Sequence, residues 1–331
     1  MFLIFVFCSS CTGQNKPDPK GENISSETKN VSTPHGPKTI VRTIKQDRKG
    51  NIWIASWDGV FRYDGKSFTN ITREVSSARF FSILEDKKGN FWFSSVGSGV
   101  YYYDGTSFLN FTTTNGLASN TVSDIYVDSK DNIWFSTASG ASRYDGQFFQ
   151  NFTTTDSPLN NDVNAIIEDN TGKFWFGTRG NLYNFDGTSF TIVTHEGRPF
   201  KNVRSIIEDK NGNIWLAGND GLWSYNGNTF TNFTKKFVGF VYEDKIGNIW
   251  TSTNSANTKK LVNDLPSNNN ESLWTISRYN KNSLHNNEAL PEIIKTNEAM
   301  IFGIMEANDH GIWFGTLNGV YRYDGNTFTE F

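Results

Sequence analysis

One phrase returns seven times along the chain. Tryptophans stand at 53, 92, 134, 175, 215, 250 and 313, separated by 39, 42, 41, 40, 35 and 63 residues. Each sits between apolar or β-branched neighbours, as in Ile52-Trp53-Ile54, Phe174-Trp175-Phe176 and Ile249-Trp250-Thr251. Six residues before the Trp comes Asp47, Asp86, Asp128, Asp169, Asp209 or Asp244, and in the seventh copy Ala307. About ten residues after it comes an aromatic-Asp-Gly phrase, such as Tyr63-Asp64-Gly65 or Tyr323-Asp324-Gly325. This varies to Tyr225-Asn226-Gly227 and decays to Tyr279-Asn280-Lys281. A final aromatic stretch such as Phe68-Thr69-Asn70-Ile71 closes each good copy. A period near 40 residues fixes the architecture before any single residue is considered.

Each copy reads as four short strands. The first is apolar (Ala165-Ile166-Ile167), the second carries the Trp, and an Asp-x-x-Gly-Asn turn separates them. The third runs through Gly59-Val60-Phe61-Arg62-Tyr63, and Asp-Gly then predicts a two-residue hairpin turn into the fourth. Four strands per repeat and seven repeats predict an all-β fold: a seven-bladed β-propeller of four-stranded antiparallel blades over 39–331. No copy shows the i, i+3, i+4, i+7 stripe that a helical solenoid needs. The last copy ends on its own fourth strand, so blades and repeats are expected to be in phase. The ring should then close by side-chain packing between blades one and seven. The aromatic content of 15% follows from the repeat, so most of it is committed to packing. Formal charge is −3, which argues against a nucleic-acid binder working by bulk charge.

Residues 1–11 read as an export signal: Met1–Phe7 is apolar, and Cys8, Ser9, Ser10 and Cys11 follow. The run is far shorter than the roughly 20 residues of a membrane span. Two small residues before Cys11 resemble a lipobox, which marks Cys11 for lipidation; plain secretory cleavage is the alternative. Residues 12–38 are polar, carry Pro17, Pro19, Pro34 and Pro37, and read as a flexible tether. The expected protein is exported, periplasmic or at the cell surface, and touches membrane only through that lipid. With Cys8 and Cys11 its only cysteines, the propeller has no disulfide framework.

The phrase Ile206-Ile207-Glu208-Asp209-Lys210-Asn211-Gly212-Asn213-Ile214-Trp215, with Trp313-Phe314-Gly315-Thr316, resembles the two-component regulator propeller repeat. The resemblance covers about nine-tenths of the chain. It implies a non-catalytic ligand-binding or interaction module like the extracytoplasmic sensor part of bacterial hybrid two-component regulators, many of them tied to polysaccharide use. No cofactor is implied, and the propeller is expected to be monomeric.

Within such a scaffold the repeated residues are architectural, and recognition is sought where the copies disagree. The second-to-third and inter-blade loops share one face. The second-to-third loop starts with Trp57, Val96, Ala138, Arg179, Asn219, Asn254 or Leu317. Five residues before the turn Asp, the inner strand offers Arg42, Phe81, Ser123, Asn164, Arg204, Gly239 or Phe302. Rings that stack on sugars, with amides and guanidinium groups for hydroxyls and carboxylates, suit a glycan. The ligand-binding candidates are Arg42, Trp57, Arg79, Phe81, Arg179, Arg204 and Phe302. The arginines come from different blades, so the channel is expected to keep them apart. Blade six carries long insertions at about 254–271 and 284–300, either a lid or a loose excursion. Catalytic and metal residues are not assigned: His35, His195, His285 and His310 are scattered, and no nucleophile elbow or P-loop appears. The predicted ligand is an oligosaccharide or a membrane or outer-membrane partner protein. The alternative is a propeller lyase or hydrolase acting on a glycan or small cyclic substrate.

Overall fold

The computed structural model describes residues 21–24, 32–154, 161–254, 274–286, 288–298 and 300–331. Seven antiparallel four-stranded sheets follow one another along the chain, each ordered first to fourth strand without crossover. Blade one is Val41–Gln46, Ile52–Ser56, Gly59–Tyr63 and Phe68–Asn70. The first strands of the other blades are Phe80–Glu85, Val122–Val127, Val163–Glu168, Val203–Glu208, Val238–Glu243 and Ile301–Glu306. These neighbour one another around the central axis. The predicted seven-bladed propeller is the observed fold. Among the described residues no helix is long and apolar enough to cross a membrane.

Each turn Asp is a hydrogen-bond hub. Asp47 Oδ1 accepts from the backbone N–H of Lys49 (2.9 Å) and Asn51 (2.8 Å). Its Oδ2 accepts from Asn51 Nδ2 and Trp53 Nε1, both at 2.8 Å. The same Asp–indole bond recurs at Trp134, Trp175, Trp215 and Trp250, and at 3.4 Å at Trp92. A buried indole N–H otherwise costs about 1–3 kcal/mol, so the six-residue spacing is a satisfaction rule. Blade seven breaks it. Ala307 offers no carboxylate, and the Trp313 indole N–H is buried without a partner. Asp309 instead accepts from Arg322 Nη2 at 2.8 Å.

Each Trp then packs on the following blade. Trp53 stacks on Phe91 with centroids 4.0 Å apart, Trp134 meets Phe174 at 4.9 Å and Trp250 meets Phe314 at 6.1 Å. Trp313 meets Tyr63 of blade one at 5.7 Å, so the last blade joins the first by the rule used elsewhere. A backbone latch runs around the ring as well. The residue after the turn position donates its N–H to the side chain ending the next inner strand. Arg48 donates to Glu85 (3.1 Å), Ser129 to Glu168 (2.7 Å), Asn170 to Glu208 (3.0 Å) and Lys210 to Glu243 (3.1 Å). Lys245 donates to Glu306 (2.5 Å), and Asn308 to Gln46 (2.7 Å) closes the circle. Between blades two and three Val127 replaces the acceptor, and a Lys87–Asp131 ion pair spans the gap.

Three expectations need correction. First, the tether range 12–38 is not free of structure where it is described. Glu22–Ile24 adds a fifth strand to the outer edge of blade two, and Ser32–Thr33 does the same for blade one. An outer strand exposes unpaired backbone groups that a polar segment can pair as well as an apolar one. Gly36 and Pro37 are buried where blades one and seven meet; a Cβ on Gly36 would lie 3.1 Å from Val320 and 3.2 Å from Phe68. Second, Asp-Gly does not make a two-residue turn. Tyr63 pairs with Phe68, and four residues connect them. Asp64 Oδ1 accepts from the N–H groups of Lys66 and Ser67, and φ is positive (94°) only at Gly65. Third, the stretch 284–300 is not a loop throughout, because Glu292–Glu298 is the fourth strand of blade six. The signal at 1–11 with Cys11, and the blade-six insertion from 255 to 271, lie outside the described residues.

Candidate functional site

Every inner strand carries a β-bulge near its start. Pairing steps from Val41 to Thr43, from Phe80 to Ile83, and from Val122 to Asp124; the other four strands shift likewise. A bulge sets two residues against one and re-aims a side chain. The re-aimed residues are Arg42, Phe81, Ser123, Asn164, Arg204, Gly239 and Phe302, the rank expected to vary. Several of their side chains reach neighbouring inner strands. Ser123 Oγ donates to Val163 O (2.7 Å) and Asn164 Nδ2 to Val203 O (2.9 Å).

Three candidates converge. The Arg42 guanidinium carbon lies 4.3 Å from the ring centroid of Phe302 and 4.5 Å from that of Phe81. These rings come from blades seven and two, on either side of blade one. At a half-buried cation such contacts contribute about 0.5–1 kcal/mol, which a Met side chain packed between the same rings can replace. Burial, then repulsion from Arg204, lowers the Arg42 pKa to about 10, and Asp124 opposes the shift. Arg42 therefore stays charged at neutral pH. Arg204 is lowered by burial and then by Arg179. Arg42 thus feels the charge of Arg204, and Arg204 that of Arg179. Neither Arg42 nor Arg204 has a protein hydrogen-bond or ion-pair partner among the described residues.

The remaining candidates form the rim. Arg79 lies 4.3 Å over the Trp57 ring, away from the Arg42 group, and the Trp57 indole N–H is buried without a partner. Arg179 Nη1 pairs with Asp162 Oδ2 at 3.4 Å; its side chain is 72% exposed, so the pair is weak. One residue was missed. Asp124 follows the bulge on blade three and accepts from Ser82 Oγ at 2.8 Å. Burial raises its pKa above the usual carboxylate range, against the Ser82 hydrogen bond and the charges of Lys45 and Arg42. The signal was available one position along the same rank: Thr43, Ser82, Asp124, Ala165, Ser205, Phe240 and Gly303 hold a single carboxylate.

The histidines stand apart from this group. His310 Nδ1 contacts Glu306 Oε1 at 2.7 Å in the blade-seven turn on the opposite face. His195 packs 5.0 Å from Trp223 on a small hairpin between blades four and five. Among the described residues no three His, Cys, Asp or Glu gather as metal ligands. Hollows beside Phe200 and Trp223, and beside Lys295 and Tyr321, are too shallow to hold a ligand.

The fold and its rim define a β-propeller that is invariant on one face and individual on the other. The family model of the two-component regulator propeller matches residues 35–58, 116–139, 157–180 and 197–220. Each match spans an inner strand and its Trp strand, and the four together cover about three-tenths of the chain. No curated protein matches the sequence significantly. Among solved structures, the chain is similar to a protein described as the extracellular domain of a hybrid two-component system from B. thetaiotaomicron. That likeness has a TM-score of 0.68 and 21% identity, over 91% of this chain and 40% of the other. The chain thus spans about two-fifths of that protein's length. A catalytically inactive virginiamycin B lyase from Staphylococcus aureus with quinupristin has a TM-score of 0.64 and 14% identity, over 91% and 97%. A surface component of the type-IX secretion system of Porphyromonas gingivalis has 0.62 and 16%, over 90% and 48%. At these identities the likeness is one of fold.

Proposed function

We propose that this chain is a non-catalytic, exported recognition propeller of the sensor type that binds a carbohydrate or a partner protein on its variable-loop face. The observation that carries this reading is the pair of half-buried guanidinium groups of Arg42 and Arg204 at the start of the inner strands, neither of which makes an ion pair or hydrogen bond to protein among the described residues. Partly buried cations that make no ion pair add little to stability. Sensor-type use is supported by the repeat family and by the likeness to the B. thetaiotaomicron domain. Carbohydrate is favoured over a protein partner by the surface. Of the six exposed large apolar side chains among the described residues, Leu317 alone stands in a second-to-third loop, so the described residues form no apolar docking patch there. The lyase alternative would need a histidine among carboxylates at the mouth; His310 instead contacts Glu306 in a turn on the opposite face, and His195 packs on Trp223. A glycan array probed with the full chain, beside a pull-down from the native envelope, tests the reading. Binding to no glycan, with one stable protein partner, would replace carbohydrate by protein. Lipidation at Cys11 belongs to the same proposal; palmitate labelling of the wild type and of Cys11→Ser tests it. Deleting 255–270 tests the lid: unchanged glycan binding would remove that role.

A further inference from the structure

We propose that the channel mouth is a carboxylate site, in which Arg42 presents its free N–H edge to the acid group of a sugar. The inference rests on the reading of this face as a carbohydrate site and narrows it to acidic sugars. Arg42 is flanked by Phe81 at 4.5 Å and Phe302 at 4.3 Å. Both rings lie within 4.5 Å of the guanidinium carbon, and neither takes a conventional hydrogen bond from its N–H groups. The N–H edge is a planar row of donors, which a carboxylate matches with two parallel hydrogen bonds. No protein acceptor takes these donors among the described residues.

The surrounding charges favour a monoanion. Arg204 adds a second cation that also lacks a partner, whereas Arg179 is already engaged by Asp162 at 3.4 Å. Asp124 stands close enough to act on Arg42, held by Ser82 at 2.8 Å. A phosphate dianion would bring twice the negative charge of a sugar acid toward that carboxylate. A sugar acid brings one negative charge, and its hydroxyls suit the polar residues of the same rank.

The test is calorimetric titration of the full chain with trigalacturonate, its methyl ester and inorganic phosphate. The acid is expected to bind at least tenfold more tightly than the ester, and phosphate more weakly than the acid. Arg42→Met keeps the apolar stem between the rings and should weaken acid binding about tenfold or more. Arg42→Lys keeps the charge without the fork and should lose most of that affinity too. A thermal midpoint no lower than wild type shows that Arg42→Met is folded. Full retention of binding in Arg42→Lys, or tighter binding of phosphate, overturns the carboxylate fork. Equal binding of acid and ester, indifferent to Arg42→Met, overturns this inference and leaves the carbohydrate reading standing. Absence of binding by either sugar overturns the inference, and the glycan array then decides the broader reading.

Discussion

The two faces of the propeller treat charge in opposite ways. On the turn face the Asp carboxylates of the turns are saturated with donors, whereas burial pushes Glu243, at the end of an inner strand, up. Burial pushes Asp47 and Asp169 up, but hydrogen bonds from side chains and backbone outweigh it and hold both below the usual range. Asp64, Asp104, Asp145, Asp186 and Asp324 are held low by backbone N–H donors of their own turns. On the variable face Asp124 is pushed up, Arg42 is pushed down, and two arginines lack partners. One face uses charge to close turns and join blades. The other holds charge at a cost to stability, as binding sites commonly do.

The comparison breaks first at the tryptophans. Trp134 is 1% exposed and touches Phe152, Phe174, Phe176 and Phe185. Trp134→Ala should cost about 3–5 kcal/mol in urea unfolding. A loss below about 1 kcal/mol would mean that the inter-blade rings do not hold the ring together. Next come the hubs. Asp209→Ala strands the Trp215 indole and two turn N–H groups, and should cost about 2 kcal/mol. The reverse change, Ala307→Asp, should raise stability by about 1 kcal/mol by giving Trp313 its missing acceptor.

Acid sharpens the contrast between faces. Carboxylates with depressed native pKa values stabilise the fold fully above the unfolded value of about 4. That stability is lost as pH falls through the lower native values, so unfolding free energy should drop below about pH 4. Asp124 runs the other way. Its raised pKa favours folding at low pH, and that contribution disappears as pH rises through the native value. Asp124→Asn should therefore raise the thermal midpoint at pH 7, whereas Asp47→Asn should lower it. The smallest effect is expected at the site itself: Arg42→Met should leave the midpoint within the error of a surface substitution or above wild type. A marked fall would make Arg42 structural.

Much of this was legible in the chain. The seven Trp phrases set blade number and strand order, because period and alternation are local properties. The Asp-to-Trp spacing of six could be read as a turn signal. Its role as an indole acceptor needed the folded turn, where Asp47 Oδ2 reaches Trp53 Nε1. The outer strands at Glu22–Ile24 and Ser32–Thr33 were not legible, since backbone pairing at an open edge asks nothing of side-chain polarity.

At the site, the sequence by itself determined the inventory: which blade carries an arginine, a ring or an amide at the first inner-strand positions. Only the tertiary structure decided the company each keeps. Phe302 lies 260 residues from Arg42, and ring closure makes their blades neighbours. The bulges turn that rank inward, and Asp124 joins it because blade three faces the same channel. Convergence around a closed ring depends on the angle between blades and on the bulge at each inner strand. Neither is encoded in a pattern of period 40, which is the same in every copy whatever stands across the channel.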